Sequence, residues 1–166
     1  MPAPSPFFSA CWIFDSSAAA YVNNTVEARI PGGTAFSIFT DTADFLYLGH
    51  AARFDLTAFI LNTAATVGVI TWEYYNGTAW TRFIPHLTYD FTIDGGISFE
   101  VPSDWTPLAF AAGTPHAPAP PDTTARYWIR ASVASTTTAP DINQIYMNPY
   151  AAYCTPGDVS SLIQVA

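Results

Sequence analysis

The chain has 166 residues, of which 50% are hydrophobic and only 11% are charged, whereas typical soluble domains carry roughly 25% charged residues. Its charges come from ten Asp, three Glu and five Arg, with no Lys, which gives a net charge of −8. This balance excludes nucleic acid as the main partner, because phosphate binding requires clustered cations and the arginines are scattered. A content of 16% aromatic residues excludes disorder, and no stretch reaches the roughly 18 apolar residues of a membrane span.

The first 20 residues are predicted to form an extended N-terminal arm. Three prolines occur among the first six residues, and proline neither continues a helix nor pairs well within a sheet. Nothing at this end resembles a signal peptide. Because a surface with so little charge is expected to be covered in part by other protein, we treat Pro4, Phe7 and Phe8 as candidate partner-binding residues in this arm.

Residues 21–150 are predicted to form a β-sandwich domain. Short segments rich in aromatic and β-branched residues alternate there with Gly, Asp, Asn and Pro, which is typical of strands joined by turns. The predicted strands include Val26–Ile30, Phe36–Phe39, Phe45–Leu48, Phe54–Asn62, Thr66–Tyr75, Tyr127–Val133 and Ile142–Met147. With eight to ten short strands and almost no helical periodicity, the predicted fold class is all-β, as an antiparallel β-sandwich or jelly roll.

Two hairpins are predicted within this domain. The dipeptide Asn76-Gly77 is a strong turn signal, and a two-residue loop there would pair Glu73 with Trp80. A longer loop would shift this register by one residue and turn Trp80 inward, so the prediction is the hairpin itself. The second turn is expected at residues 94–96, which read Asp-Gly-Gly. Alternating apolar residues on both sides of that turn would then pair with each other.

A long loop interrupts the strand pattern. Residues 106–125 are rich in Pro and Ala, and loops of this length are usually functional or disordered. We therefore take Pro118 and Pro120 as further candidate partner-binding residues.

The end of the sequence, residues 151–166, is predicted to be a short helical docking tail. Thr155 followed by Pro and a nearby Asp is typical of a helix start. A helix of under two turns is not stable alone, so the tail is expected to dock either on its own sandwich or on a partner. The candidate contact residues, at helical spacing, are Val159, Leu162 and Ile163.

The sequence contains no recognisable pattern of catalytic or cofactor-binding residues. His50, His86 and His116 have no metal-ligand spacing, and motifs for a nucleophile or a phosphate loop do not occur. Cys11 and Cys154 are predicted to be buried thiols, with a disulfide between them as the alternative. We therefore expect a protein that is not an enzyme and that has no cofactor and no metal.

Three tryptophans form an alternative candidate site. Trp72, Trp80 and Trp105 could stack against sugar rings if they share an exposed face, as in carbohydrate-binding modules. The competing interpretation is that they fill the core, because aromatic side chains dominate β-sheet cores by area. Their exposure distinguishes the two interpretations.

Three sequence stretches resemble motifs of a known group of proteins. They are WEYYNGTAW at residues 72–80, GISFEVPSDW at residues 96–105 and YWIR at residues 127–130. In this order they are similar to motifs of β-sandwich virion structural proteins of tailed bacteriophages and archaeal tailed viruses. The likeness spans about residues 44–133 and implies a head-decoration, tail or baseplate component without catalysis.

This resemblance leads to a set of functional expectations. The protein is expected in the virion, assembled in the host cytoplasm, as a capsid-associated decoration or minor capsid protein that stabilises the particle. Its expected partners are the major capsid protein or tail and baseplate proteins, together with further copies of itself in a homo-oligomer such as a trimer. Neither nucleic acid nor a membrane is an expected partner. The alternatives are a tail or baseplate component, or a carbohydrate-binding module for host surface glycans.

Overall fold

The computed structural model describes residues 6–110 and 120–149. These residues form strands joined by turns and one short 3₁₀ helix, Glu27–Arg29, and every strand pairing is antiparallel. The predicted all-β, antiparallel class is confirmed. The strands are β1 (Ala10–Asp15), β2 (Ala20–Asn23), β3 (Phe36–Ser37), β4 (Phe45–His50), β5 (Phe54–Thr63), β6 (Thr66–Val67), β7 (Ile70–Tyr75), β8 (Trp80–Phe83), β9 (Gly95–Ser98), β10 (Tyr127–Val133), β11 (Thr136–Thr138) and β12 (Asp141–Pro149).

The strands form two main sheets and a small ribbon. The larger sheet has six strands in the order β2-β1-β4-β10-β7-β8, and the smaller has four in the order β3-β12-β5-β9. Strands β6 and β11 pair separately. Strand β1 lies within the expected N-terminal arm but pairs with both β2 and β4, so residues 10–15 belong to the larger sheet. Strands β2 and β8 form its two free edges among the residues described.

The main hydrophobic core lies between the two large sheets, as expected for a β-sandwich. Buried side chains from both sheets belong to one cluster, and Trp105, from the segment after β9, is enclosed with them. The larger sheet contributes Ile13, Leu46, Leu48, Trp72 and Ile129 to this core, and the smaller sheet contributes Phe36, Phe54, Phe59, Ile97 and Ile145.

One predicted strand is a helix, one is shorter than expected, and the strand expected over Thr66–Tyr75 is interrupted between β6 and β7. The segment expected as strand Val26–Ile30 contains the 3₁₀ helix, in which the amides of Arg29 and Ile30 donate to the carbonyl oxygens of Val26 and Glu27, three residues back. Of the helix residues, only Ala28 is buried. The strand expected over Phe36–Phe39 ends at Ser37, and Phe39 has a φ of 56°, which an extended strand does not accommodate.

The first predicted hairpin exists with a different loop. Strands β7 and β8 pair Tyr75 with Trp80 and Glu73 with Arg82, so the hairpin is confirmed with a loop of four residues, and the register of a two-residue loop does not occur. The Asn76 side chain accepts hydrogen bonds from the backbone amides of Thr78 and Ala79. This local bonding favours the wider turn over a two-residue turn.

The second predicted hairpin is wrong. Strand β9 pairs with β5 and not with the segment before residue 94. A Cβ atom on Gly96 would lie 2.0 Å from the carbonyl oxygen of Thr57, so the absence of a side chain lets β9 approach β5 closely. The preceding segment turns inward at Phe91, which is fully buried with a φ of 59° and packs on Phe59.

No helix in residues 6–110 and 120–149 combines the length and the apolar character that crossing a membrane would require.

Candidate interaction surfaces

The predicted partner-binding residues in the N-terminal segment divide between core and surface. Phe8 is 2% exposed and packs edge-on against Phe54, with ring centroids 4.9 Å apart, so its prediction as a partner contact is corrected. Phe7 is partly exposed, and its ring lies 5.6 Å from that of Tyr146. Pro120 is buried, which also argues against its predicted role. The remaining candidates lie outside the described residues: Pro4, Pro118, Val159, Leu162 and Ile163.

Hydrogen bonds to backbone carbonyl groups hold the N-terminal segment against the sandwich. The Arg29 guanidinium donates to the carbonyl oxygen of Phe8 from Nε at 2.8 Å and from Nη2 at 2.6 Å. The backbone amide of Met147 donates to the carbonyl oxygen of Pro6. These bonds explain why Phe8 lies in the core despite the proline-rich sequence that precedes it.

Cys11 is a buried thiol, as predicted. Burial, with a smaller contribution from the charge of Glu27, raises the pKa of Cys11 far above its ordinary range. The thiol is therefore protonated and unreactive at neutral pH. Its alternative disulfide partner, Cys154, lies outside the described residues.

The three candidate stacking tryptophans do not share a face. Trp72 and Trp105 are 3% and 1% exposed and lie in the main core. The Trp105 indole nitrogen donates to the carbonyl oxygen of Trp128 at 3.1 Å. Trp80 lies on the opposite face of the larger sheet and is partly exposed. The predicted platform of Trp72, Trp80 and Trp105 is therefore wrong as a set.

The opposite face of the larger sheet carries an aromatic layer of its own, here called the outer aromatic face. It follows from strand alternation, since each strand of this sheet places every second side chain away from the main core. The face has a second cluster of apolar residues, in which Ala10, Tyr47, Phe110 and Trp128 are buried. Its partly exposed members are Trp12, Phe14, Tyr21, Phe45, Trp80 and Leu108.

A glycine and a loop shape one end of this face. Gly49 pairs across strands with Trp128, and a Cβ atom on Gly49 would lie 2.7 Å from the indole ring. The indole nitrogen donates to the carbonyl oxygen of Leu108 at 2.8 Å, and the Phe110 ring packs 5.2 Å from Trp128. The segment after Trp105 therefore covers this end of the face, while the end near β1 and β2 is more open.

On the outer aromatic face, Arg130 forms an ion pair with Glu73 and packs against two aromatic rings. The Arg130 guanidinium lies 4.5 Å from the ring centroid of Trp80 and 4.8 Å from that of Phe45. Its Nε donates to Glu73 Oε2 at 2.6 Å. In contrast, the indole nitrogens of Trp12 and Trp80 are buried without a hydrogen-bond partner. Two N–H donors at this face are thus unmatched.

The most exposed large apolar side chains in the described residues form two groups. The first group, here called the β2 patch, belongs to the free edge strand β2 and the 3₁₀ helix region that follows it. Its members are Val22, Val26 and Ile30, which are 46%, 62% and 48% exposed.

The second group, here called the β8 patch, surrounds the end of edge strand β8 and the segment leading to β9. Its side chains are more exposed than those of the β2 patch. Its members are Val69, Ile84, Leu87 and Ile93, which are 68%, 81%, 71% and 72% exposed.

Each patch lies beside an open side of the sandwich, where the two sheets come together. A pocket of about 230 Å³ is lined by Ile13 and Val22 of the larger sheet and by Phe36 of the smaller sheet. On the other side, Val69 and Pro85 line an apolar pocket of about 200 Å³. The sheets also meet on that side through the rings of Phe83 and Phe99, 4.5 Å apart. The two patches therefore flank opposite sides of the sandwich.

Four of the five arginines are engaged within the molecule. The fifth, Arg82, is exposed on edge strand β8 and makes no hydrogen bond or ion pair with a described residue. The acceptors of the engaged arginines are the carbonyl oxygen of Phe8 for Arg29, that of Trp105 for Arg53, Asp122 for Arg126 and Glu73 for Arg130.

The described residues bring no metal-ligand cluster together, since no three His, Cys, Asp or Glu side chains converge in residues 6–110 and 120–149. The three histidines include His50, whose pKa burial lowers. Its Nδ1 accepts a hydrogen bond from the amide of Ala52, which is a structural role.

The chain matches no protein-family model, no curated protein and no solved structure.

Proposed function

We propose that this protein is a non-enzymatic structural component of a tailed-virus particle, attached to the capsid as a decoration or minor capsid protein. The observation that carries the proposal is the grouping of the most exposed apolar side chains beside the two open sides of the sandwich. Single exposed apolar residues are ordinary, whereas groups of them mark protein interfaces. The sequence resemblance to virion proteins supplies the kind of assembly.

The low charge supports the same proposal. The chain has five cations against thirteen carboxylates, and two of the cations pair with Asp122 and Glu73, so acidic side chains dominate the charge of the protein. A surface of this kind favours contacts with other protein subunits over contacts with nucleic acid. The proposed partners are the major capsid protein, or tail and baseplate proteins, and further copies of the chain in a homo-oligomer such as a trimer.

The proposal includes the finer features of the predicted fold. The jelly roll is supported by strand β12, which lies between β3 and β5 although it is far from both in sequence. Such neighbours are what Greek-key connections produce. The proposal also keeps residues 151–166 as a helical tail that docks on a neighbouring subunit.

Immunogold labelling of native particles tests the location. An antibody raised against the purified chain is expected to label the heads of the particles. Labelling confined to tails or baseplates would replace the capsid assignment with the tail or baseplate alternative. Particles without label, in a preparation whose unassembled protein is detected by the same antibody, would overturn the virion proposal.

A second candidate function is glycan binding at the outer aromatic face. The observation that favours it is the group of partly exposed aromatic side chains on this face, Trp12, Phe14, Tyr21 and Trp80. Exposed aromatic rings can stack on sugar rings. This site keeps Trp80 from the predicted sugar-stacking platform. The buried Trp72 and Trp105 are not part of it.

Gel retardation in the purified surface polysaccharide of the host tests this candidate. If glycans bind there, Trp80→Ala is expected to weaken retardation roughly tenfold. Leu87→Ala, which removes an exposed apolar side chain of the β8 patch, is the matched control and is expected to leave retardation unchanged. Equal mobility of the unmodified chain with and without polysaccharide would remove the glycan candidate.

A further inference from the structure

We propose that copies of this chain join edge to edge, with the β2 patch of one copy packed against the β8 patch of the next. The inference rests on the proposed structural role, because it names a second copy as the partner that covers these surfaces. Three features of the described residues carry it: the position of the two patches, the charges beside them and the free strand edges.

The two patches lie too far apart to bury each other within one copy of the chain. Strands β2 and β8 are the opposite edges of the six-stranded sheet, and five interstrand spacings separate them by about 24 Å. The β2 patch and the β8 patch therefore cannot pack against each other within one copy. In a row of copies, however, the β8 edge of one sheet faces the β2 edge of the next.

The charges favour contact between unlike patches. Arg82 lies exposed on the edge strand, two residues before Ile84. Its cross-strand neighbour Glu73 is ion-paired with Arg130, and Arg82 itself makes no ion pair with a described residue. Glu27 lies between Val26 and Ile30 in the β2 patch region and makes no ion pair with a described residue. Packing unlike patches brings Arg82 of one copy towards Glu27 of the next, which is complementary. Packing two β8 patches together would bring two Arg82 side chains towards each other.

Other carboxylates beside the patches are occupied by local hydrogen bonds. In the β8 patch region, Asp90 accepts from the amide of Thr92 and Asp94 accepts from the amide of Leu61. In the β2 patch region, Asp15 accepts from the amide of Ser17. These carboxylates keep their charge, and Arg29, exposed beside Ile30 and bonded to the carbonyl oxygen of Phe8, is the cation of the β2 patch region that can face them across the contact. Arg82 and Glu27 are the two charges beside the patches that make no hydrogen bond with a described residue.

The strand edges add a directional component. An edge strand presents unpaired backbone N–H and C=O groups, and both β2 and β8 have four residues. Strand pairing between these edges would continue the larger sheet from copy to copy. A contact between two different patches generates a closed ring or an open filament, according to the rotation between copies.

Two single substitutions test the arrangement by complementation. Val26→Asp places a charge in the β2 patch, and Ile84→Asp places a charge in the β8 patch; each is expected to weaken self-association roughly thirtyfold or more. Sedimentation velocity should show the unmodified chain as a species larger than a dimer and each variant alone as a monomer. An equimolar mixture of the two variants should form one-to-one dimers, since each variant retains the patch that the other lacks.

Control variants separate the contact from folding and from general charge effects. Ala51→Asp adds the same charge at an exposed position outside both patches and is expected to associate like the unmodified chain. Circular dichroism and thermal unfolding should be alike for the Val26→Asp, Ile84→Asp and Ala51→Asp variants, because these side chains are exposed. Arg82→Glu is expected to weaken association, and combining it with Glu27→Arg is expected to restore it.

Several outcomes would overturn the inference. A variant that dimerises alone would show contact between like patches, and variants that stay monomeric when mixed would show that the patches do not meet. If a chain that carries both substitutions assembles like the unmodified chain, the edge contact is wrong while the structural role stands. The edge contact is also wrong, and the structural role stands, if the chain is a monomer in solution but the antibody labels particles. A monomer that is also missing from particles would overturn the structural role itself.

Discussion

At the scale of single residues, Asp44 is a buried carboxylate with a structural role. Asp44 is 1% exposed, and its carboxylate accepts hydrogen bonds from the amide and hydroxyl of Ser16, the hydroxyl of Thr40 and the amide of Asp41. Burial alone would raise the pKa of Asp44, but these hydrogen bonds outweigh burial and hold its pKa below the ordinary value. The carboxylate thus joins the turn after β1 to the turn before β4.

We expect Asp44→Asn to lower the free energy of unfolding by about 1–3 kcal/mol at pH 7, because the buried donors lose a charged acceptor. A folded-state pKa below the unfolded value makes the carboxylate's contribution complete above about pH 4. That contribution is lost as the pH falls through the folded-state pKa, so the difference between the two proteins should shrink in acid. Denaturant unfolding at several pH values measures it.

The matched control for this prediction is Glu100→Gln. Glu100 is exposed and makes no hydrogen bond with a described residue, so its substitution should change stability by less than about 0.5 kcal/mol. A difference for Asp44→Asn that stays constant from pH 7 to acid would contradict the proposed role of its charge.

At the scale of elements, long-range pairing decided which predicted strands formed hairpins. Strand β9 pairs with β5, about forty residues away in sequence, although local alternation favours pairing with the segment just before it. Gly96 makes this approach feasible, and Ile97 is then buried in the main core. The segment before residue 94 instead inserts Phe91 between Phe39 and Phe59.

We therefore expect Gly96→Ala to destabilise the fold by at least about 2 kcal/mol, since the new methyl group would collide with the backbone of Thr57 and Ala58. Gly95→Ala is the comparison, because the nearest atom to its Cβ is Cε2 of the Tyr89 side chain at 3.0 Å, so a much smaller shift relieves the contact than at Gly96. Thermal or denaturant unfolding of both variants measures the effect. Equal stability of the two variants would show that β9 does not approach β5 as closely as described.

At the scale of the whole molecule, apolar side chains are used in three ways. One set fills the core between the sheets, a second forms the outer aromatic face, and a third is left exposed in the β2 and β8 patches. This distribution reconciles a half-hydrophobic composition with a protein that keeps only a few charges. The exposed set is the part that an assembly would cover.

Removal of residues 155–166 tests the tail at this scale. Because so short a helix is not stable alone, docking on a neighbour predicts that the deletion impairs association with particles more than it lowers the melting temperature. Co-sedimentation with particles and thermal unfolding of the shortened chain measure the two effects. Equal loss of both would assign the tail to packing on its own sandwich.

The sequence by itself determined the all-β class and most strand positions, because alternation and turn residues act locally. Strand β10 was predicted with the bounds it has, and β5 within one residue at its end. The alternation of Trp12 and Phe14 with Cys11 and Ile13 was a strand signal that the nearby prolines obscured. The local pattern was therefore sufficient to locate a strand wherever apolar and polar residues alternate along it.

Only the tertiary structure decided which apolar residues are buried and which strands are neighbours. Trp72, Trp80 and Trp105 look alike in sequence, yet two lie in the core and one lies on the outer face. Phe8 and Ile84 are both apolar, but one is enclosed by Phe54 while the other is 81% exposed at a sheet edge. Burial depends on contacts between segments far apart in the chain, and local sequence patterns carry no record of those contacts.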